Sequence, residues 1–165
     1  MEYTIRRLKP EEAYVLEDFL YLAIFLRPGE LPPEREVIYR PELWLYVDGF
    51  GSRRGDIAVA AWADGQAVGA AWARIMDDYG HVDDETPSLA ISLREGWRGK
   101  GIGRQLMSML LEELRRVGFA RASLSVQKDN YALKLYRSLG FQTVAEHDED
   151  FIMVCRLDKS SVAPA

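Results

Sequence analysis

The sequence predicts an α/β chain of the α+β kind: one domain whose mixed sheet of about seven strands is flanked by about four helices. Three observations carry this. The dipeptide Asp64-Gly65 joins two β-like apolar runs, the mark of a tight hairpin. A strand–helix–strand unit follows, which calls for a parallel crossover. The elements run β-α-α-β-β-β-α-β-α-β-β, so helices and strands do not alternate evenly as in a doubly wound fold. The length of 165 residues, with 48% apolar and 28% charged, suits a single core-forming domain. That domain is expected over residues 1–158, with a solvated tail at 159–165.

The elements can be justified in order. Residues 3–9 alternate Tyr3, Ile5 and Arg7 against Thr4, Arg6 and Leu8, as a first strand would. Pro10 is tolerated at a helix start, and Glu11 and Glu12 suit the positive end of its dipole. Leu16, Phe19, Leu20, Ala23 and Ile24 then recur on one helical face. Arg27-Pro28-Gly29 and Leu31-Pro32-Pro33 break the helix, and a second helical stretch runs from about Pro33 to Val47, kinked near Pro41. Strands are expected at Asp56–Ala63 and Gln66–Met76, then, after the acidic connection Asp77–Glu85, at Ser88–Leu93. Leu106, Met107, Leu110, Leu111, Leu114 and Val117 form the stripe of the clearest helix, closed by Gly118. Strand Ala122–Val126, helix Ala132–Leu139 ended by Gly140, and strands Phe141–Ala145 and Phe151–Leu157 complete the chain. The last two strands offer an apolar edge where a homodimer could form.

Charge and cysteine usage narrow the function. The net charge of −5 lacks the basic footprint of a nucleic-acid binder. No apolar run approaches the 18 or so residues of a spanning helix, so no membrane association is expected. The N-terminus, Met1 to Arg7, is charged and strand-like rather than a signal peptide. The one cysteine, Cys155, cannot form an internal disulfide, which fits the cytoplasm. No metal site is expected.

The stretch that carries chemistry is Leu93-Arg94-Glu95-Gly96-Trp97-Arg98-Gly99-Lys100-Gly101-Ile102-Gly103-Arg104. It joins a strand to a strongly amphipathic helix, with Gly99, Gly101 and Gly103 at alternate positions. Such a turn aims main-chain N–H groups at one point, and the helix dipole adds positive potential there. Arg98, Lys100 and Arg104 add charge, so a diphosphate is the natural guest. The spacing fits neither a Walker loop, since Gly101 is followed by Ile102-Gly103, nor the dinucleotide fingerprint, since Arg104 and Leu106 stand where its third glycine would fall. A plain strand–helix turn with a basic surface is the bland alternative.

The segment resembles the Arg/Gln-x-x-Gly-x-Gly/Ala signature of GCN5-related N-acetyltransferases, matched at Arg98, Gly101 and Gly103. The stretch from Asp129 to Phe141, with Asn130, Ala132, Leu135, Tyr136, Gly140 and Phe141, is similar to that family's Asn-x-Ala…Leu-Tyr-x-x-x-Gly-Phe segment. The resemblance covers about residues 3–157. It implies a mostly antiparallel sheet splayed between its fourth and fifth strands, and a cytoplasmic enzyme that transfers acetyl from acetyl-CoA to a small-molecule or peptide amine. Ile91, Ser92 and Leu93 would pair with the pantetheine arm like an added strand, beside a bulge at Arg94-Glu95. The pyrophosphate would rest on the amides of Arg98, Gly99, Lys100, Gly101, Ile102, Gly103 and Arg104, and Asn130 would bond the pantetheine or the substrate side. An N–H around Leu93 would meet the oxyanion, and Tyr136 would protonate the departing thiolate.

The pattern thins at two points. Where some relatives carry a basic glutamate, this chain has Thr86, Pro87 and Ser88, so Glu85, His81, Asp83, Asp84 or a water relay could take the proton. The family's frequent proline after the fourth strand is Glu95 here. Phe25, Arg27, Trp44, Tyr46, Trp72, Arg74 and Tyr79 are candidate acceptor-pocket residues by position. A domain of the same fold that holds an acyl-CoA without turnover is the alternative to an active enzyme.

Overall fold

The computed structural model describes residues 2–158; the expected tail at 159–165 lies outside them. Strands β1 (Thr4–Arg7), β2 (Ile57–Ala63), β3 (Gln66–Arg74), β4 (Ser88–Leu93), β5 (Arg121–Gln127), β6 (Gln142–Glu146) and β7 (Asp150–Arg156) form one sheet in the order β1-β2-β3-β4-β5-β7-β6. Every neighbouring pair is antiparallel except β4 with β5. Four α-helices accompany it: α1 (Leu16–Leu22), α2 (Pro41–Trp44), α3 (Ile102–Arg116) and α4 (Leu133–Ser138).

The hairpin between β2 and β3 turns on Asp64 (φ 51) and Gly65 (φ 78), both left-handed, as a type I′ turn requires. The sheet separates two cores. Ile57, Val59, Ala61 and Ala63 of β2 meet the buried stripe of α3, Ile102, Leu106, Met107, Leu110, Leu111 and Leu114. Ala58 and Ala60 face the other way, toward Leu16, Phe19 and Leu20 of α1 and toward Ile38. Alanines on both faces let the large side chains of the helices sit close to the sheet. The β2–β3 register shifts between Ala61 and Trp62, and the phase of β3 changes with it: Val68 and Ala71 share the α3 core, while Ala67 and Ala70 share the α1 core.

Several expectations need correction. The first strand is shorter than 3–9: the Leu8 N–H still bonds Ala58 O beside β2, but the chain then enters a 3-10 turn at Pro10–Val15 that precedes α1. The stretch 33–47 is not one kinked helix. A 3-10 turn at Arg35–Tyr39 and α2 are separated at Arg40, whose ψ of 140 is the extended conformation that Pro41 imposes on the residue before it. The β3–β4 register is unbroken from Arg74↔Ser88 to Gly69↔Leu93, where the ladder ends, short of the bulge expected at Arg94-Glu95. β7 lies between β5 and β6 and offers no edge. Of these two last strands the edge is β6, whose five residues are all exposed and include Gln142, Thr143 and Glu146, so it is not the apolar edge expected.

Glu12 ties the turn after β1. Its carboxylate accepts from both nitrogens of the Arg6 fork, at 2.8 and 2.7 Å, and from the Lys9 N–H at 2.8 Å. The Arg6 bonds, with help from the Lys9 amide, hold its pKa at about 2, well below the ordinary 4.5. A depressed carboxyl contributes stability above its unfolded value, and that contribution fades as pH falls from 4.5 toward 2. Glu12→Gln should therefore cost about 1 kcal/mol at pH 6, a modest figure because Arg6 is partly exposed. In urea unfolding the gap from the unaltered protein should narrow steadily below pH 4.5; a gap independent of pH would contradict this account.

Candidate active site

β4 and β5 share one registered pair, Ser88 with Ser123. Beyond it they part, and a cleft of about 640 Å³ opens between Ile91, Ser92 and Leu93 on one side and Asn130, Ala132, Leu135 and Tyr136 on the other. Each strand is held from outside. β4 pairs with β3 over six positions and β5 with β7 over seven. The end of β4 is pinned further: the Arg94 N–H bonds Val68 O at 2.9 Å, its Nε bonds Ala67 O at 2.9 Å, and its guanidinium meets Asp18 at 3.2 Å. Ser92 donates to Phe19 O at 2.7 Å, so its hydroxyl ties β4 to α1. Leu93 lies against Gly69, where a Cβ would fall 2.2 Å from the Leu93 side chain. Glycine at position 69 is what lets Leu93 seat at the cleft.

The turn into α3 is built from left-handed residues, Gly96 (φ 89), Gly99 (φ 74) and Gly101 (φ 83). Gly101 is the N-cap of α3; no side chain caps this end and no acidic residue stands in the first turn. The first-turn N–H groups of a 15-residue helix are thus available to an anion, with the dipole behind them. Arg98, Gly99, Gly101, Gly103 and Arg104 line the cleft. Arg98 folds its Nε onto Leu93 O at 3.0 Å, and Arg104 reaches Ser138 at 2.7 Å. Lys100 is exposed outside the lining, and the Ile102 side chain belongs to the core, which leaves their main-chain groups as what they can offer. Gly103 is in helical conformation, and an added Cβ would find only ordinary contacts, 3.7 Å to Leu135 and 3.8 Å to Ile91 and Leu93. The fold therefore has room for a side chain there, and what a Cβ would obstruct is the cleft.

On the opposite wall, Asn130 accepts the Ala132 N–H at 2.9 Å through Oδ1, which shapes the entry to α4. Tyr136 is 7% exposed, packs edge-on to Phe141, and has no hydrogen-bond partner for its hydroxyl among the described residues. Burial, with a smaller effect from Tyr131, pushes its pKa up to about 12, so it remains a proton donor throughout the neutral range. A third wall comes from Tyr21 to Leu26 with Pro32 and Pro33, of which the sequence pointed only to Phe25. Tyr21 braces this wall by donating to Pro33 O.

The other predicted residues lie elsewhere. Glu85 does not join Tyr136; its side chain is 80% exposed and faces Arg54 at 3.6 Å. His81 bonds Met76 O, Asp83 pairs with Arg121, and Asp84 is exposed. These belong to the connection before β4, at the end where β4 and β5 are still joined. Trp72 and Arg74 are fully buried: Trp72 donates to Tyr46 O, while Arg74 grips Asp56 at 3.0 and 2.9 Å and also bonds Leu45 O and Asp48 O. Trp44 and Tyr46 pack on the α1 core, and Tyr79 is exposed outside the lining. Asp78, read from sequence as part of a polar loop, instead accepts from Ser88 Oγ at 2.7 Å and Tyr46 Oη at 3.0 Å, and burial raises its pKa despite those bonds. It anchors the connection between β3 and β4. Among the described residues, no His, Cys, Asp or Glu cluster could hold a metal ion.

Residues 21–141 match the model of the acetyltransferase (GNAT) family. The chain is 35% identical over 74 residues to an uncharacterized N-acetyltransferase, YobR, of Bacillus subtilis (strain 168), covering 44% of this chain and 28% of that protein. It is 28% identical over 163 residues to a mycothiol acetyltransferase of Frankia alni, covering 90% of this chain and 45% of the other. The chain thus spans less than half the length of both relatives. Its fold is similar to that of a GNAT superfamily phosphinothricin acetyltransferase from Sinorhizobium meliloti in complex with AcCoA, with TM-score 0.70 and 20% identity over 100% of this chain and 94% of that one.

Gly103→Ala separates a structural glycine from one reserved for a ligand. The substitution should leave stability equal or improve it by up to about 1 kcal/mol, as Gly→Ala does in helices. Calorimetry should show affinity for coenzyme A reduced about tenfold, or about 1.4 kcal/mol. Unchanged affinity would remove position 103 from the anion site.

Proposed function

The chain belongs to the GNAT acetyltransferase family, and on that premise we propose that it is an N-acetyltransferase, passing the acetyl group of acetyl-CoA directly to a primary amine in a ternary complex. The observation that carries this is Tyr136, a largely buried tyrosine whose hydroxyl has no partner among the described residues, on one wall of a cleft whose other end is an uncapped, glycine-formed helix N-terminus. An acyl-CoA holder needs the helix end. A positioned, un-ionised acid is useful only for turnover.

The amides from Arg98 to Arg104 receive the pyrophosphate, and the free edge of β4 at Ile91 to Leu93 pairs with the pantetheine amides as a strand would. The side-chain NH₂ of Asn130 is left to bond the same arm, since Oδ1 serves Ala132. An alkylammonium with a pKa near 10.4 must lose a proton before it can attack. Glu95 is the sole carboxylate among the residues lining the cleft, and Glu85 faces away, so water carries that proton out. The neutral nitrogen then adds to the thioester carbonyl, and the oxyanion is met by main-chain N–H at Leu93. As the C–S bond breaks, Tyr136 gives its proton to the thiolate; the proton leaving nitrogen returns to the phenolate through water. The products are an N-acetyl amide and coenzyme A thiol.

The single cysteine, buried Cys155, and the absence among described residues of a helix long and apolar enough to cross a membrane suit work in the cytoplasm.

A thiol-release assay of acetyl-CoA against varied amines tests this reading. Tyr136→Phe should lower kcat about 100-fold, the usual worth of a positioned acid, while calorimetric affinity for coenzyme A stays within about twofold. An undiminished kcat would remove the proton-donor role, and a protein that binds coenzyme A yet releases no thiol with any amine would be a holding domain.

A further inference from the structure

The apolar stripe of α1 continues past the end of the helix. Leu16, Phe19 and Leu20 are buried in a core, whereas Ala23 and Ile24, which share their spacing, follow the last helical residue, Leu22. Ala23, Ile24, Phe25 and Leu26 belong to neither hydrophobic core. They line the cleft instead, and Pro32 and Pro33 complete that wall. All four keep some exposure, Leu26 most of all. Apolar residues scattered singly over a surface need no explanation, but a contiguous run on a concave wall does.

We propose that this wall seats the apolar substituent of the acceptor, so that the protein selects a primary amine with an alkyl or aryl chain and no second charge. The inference rests on the acetyl-transfer reading and names the class of its substrate. The wall has little to offer a polar group. The Tyr21 hydroxyl is spent on Pro33 O, and the N–H groups of Ala23 and Ile24 are taken by Phe19 O, Leu20 O and Tyr21 O. The charged residues of the lining, Glu95, Arg98 and Arg104, all stand between the end of β4 and the first turn of α3. A second ammonium, or a carboxylate, would therefore leave water against Ile24 and Phe25 without a partner, which is costly. The donor does not account for the wall either. In the proposed complex its pantetheine arm lies along β4 and Asn130, and its acetyl group adds one methyl.

Phe25 is held in place for this contact. The Arg27 guanidinium lies over its ring, 5.4 Å from the centroid, and is itself fastened to Asp129 at 2.7 Å. Asp129 adjoins Asn130 and Tyr131 of the facing wall, so the ion pair ties the segment that carries Phe25 to that wall. Tyr131 lines the same cleft and is 78% exposed, a second aromatic surface open to a ligand. Hydrocarbon entering here leaves water for apolar surroundings, which is favourable.

The test is calorimetric titration of n-hexylamine, ethylamine and 1,5-diaminopentane into the full chain saturated with coenzyme A. Hexylamine should bind about tenfold or more tightly than ethylamine, since part of its added chain is buried. It should also exceed the diamine, which matches its length but ends in a charge, by about fivefold or more. The preference over ethylamine should persist from about 20 to 300 mM salt, because apolar burial is not screened. Phe25→Ala should shrink the hexylamine-to-ethylamine ratio about fivefold, and Phe25→Leu should keep most of it; Phe25 lies outside both cores, so both variants should fold. Equal affinities for the three amines, a tighter diamine, or a ratio indifferent to Phe25→Ala would overturn the inference. So would a hexanoyl-CoA that binds more tightly than acetyl-CoA while hexylamine shows no preference, for the wall would then serve the donor. Binding is read without turnover, so absence of thiol release would count against acetyl transfer alone. If coenzyme A failed to bind, the same titration of the free protein would still read the wall.

Discussion

The candidate site depends on the parting of two strands. β4 and β5 touch at Ser88 and Ser123 and then diverge, each drawn by the neighbour on its far side. Strand main chain cannot be left without partners away from water. Opening a sheet from within therefore creates a line of donors and acceptors that solvent or an extended ligand must satisfy. The fold keeps this gap open by fastening its walls: Arg94 to β3 and Asp18, Ser92 to α1, and Asn130 to the start of α4. Gly69 contributes by omission, since any side chain there would displace Leu93.

Charge is distributed along the cleft with the same economy. The α3 end has an uncapped helix terminus with Arg98 and Arg104, and just beyond the far side Arg27 is joined to Asp129 and Glu30. Between them the lining is mostly apolar. The arrangement suits a reaction in which a strongly anionic donor meets an amine that must be neutral at the instant of attack. Local dielectric favours the neutral nitrogen inside. In the proposed reaction Tyr136 would work within the same logic, because burial raises its pKa and keeps it protonated.

Much of this was legible in residue order. Asp64-Gly65 announced the hairpin, and the Leu106-to-Val117 stripe announced α3, because period and turn chemistry are local properties. The glycine turn was legible for the same reason: Gly96, Gly99 and Gly101 take left-handed conformations that local sequence must permit. Less was legible wherever a side chain's partner lay far along the chain. Arg74 looked like a pocket residue and is locked to Asp56, Leu45 and Asp48; Glu85 looked near the chemistry and faces Arg54. Asp78 read only as part of an acidic connection and is an anchor for Tyr46 and Ser88.

By itself, the sequence determined the element order, the glycine-rich turn at the start of α3 and the family resemblance, all written in short-range spacing. Tertiary structure alone decided which face each charged residue takes. It drew Arg27 to Asp129 across 102 positions and set the β6–β7 turn beside them. The reason is physical: periodicity encodes a residue's side of its own helix or strand, but the field at a site is the sum over neighbours that only folding assembles.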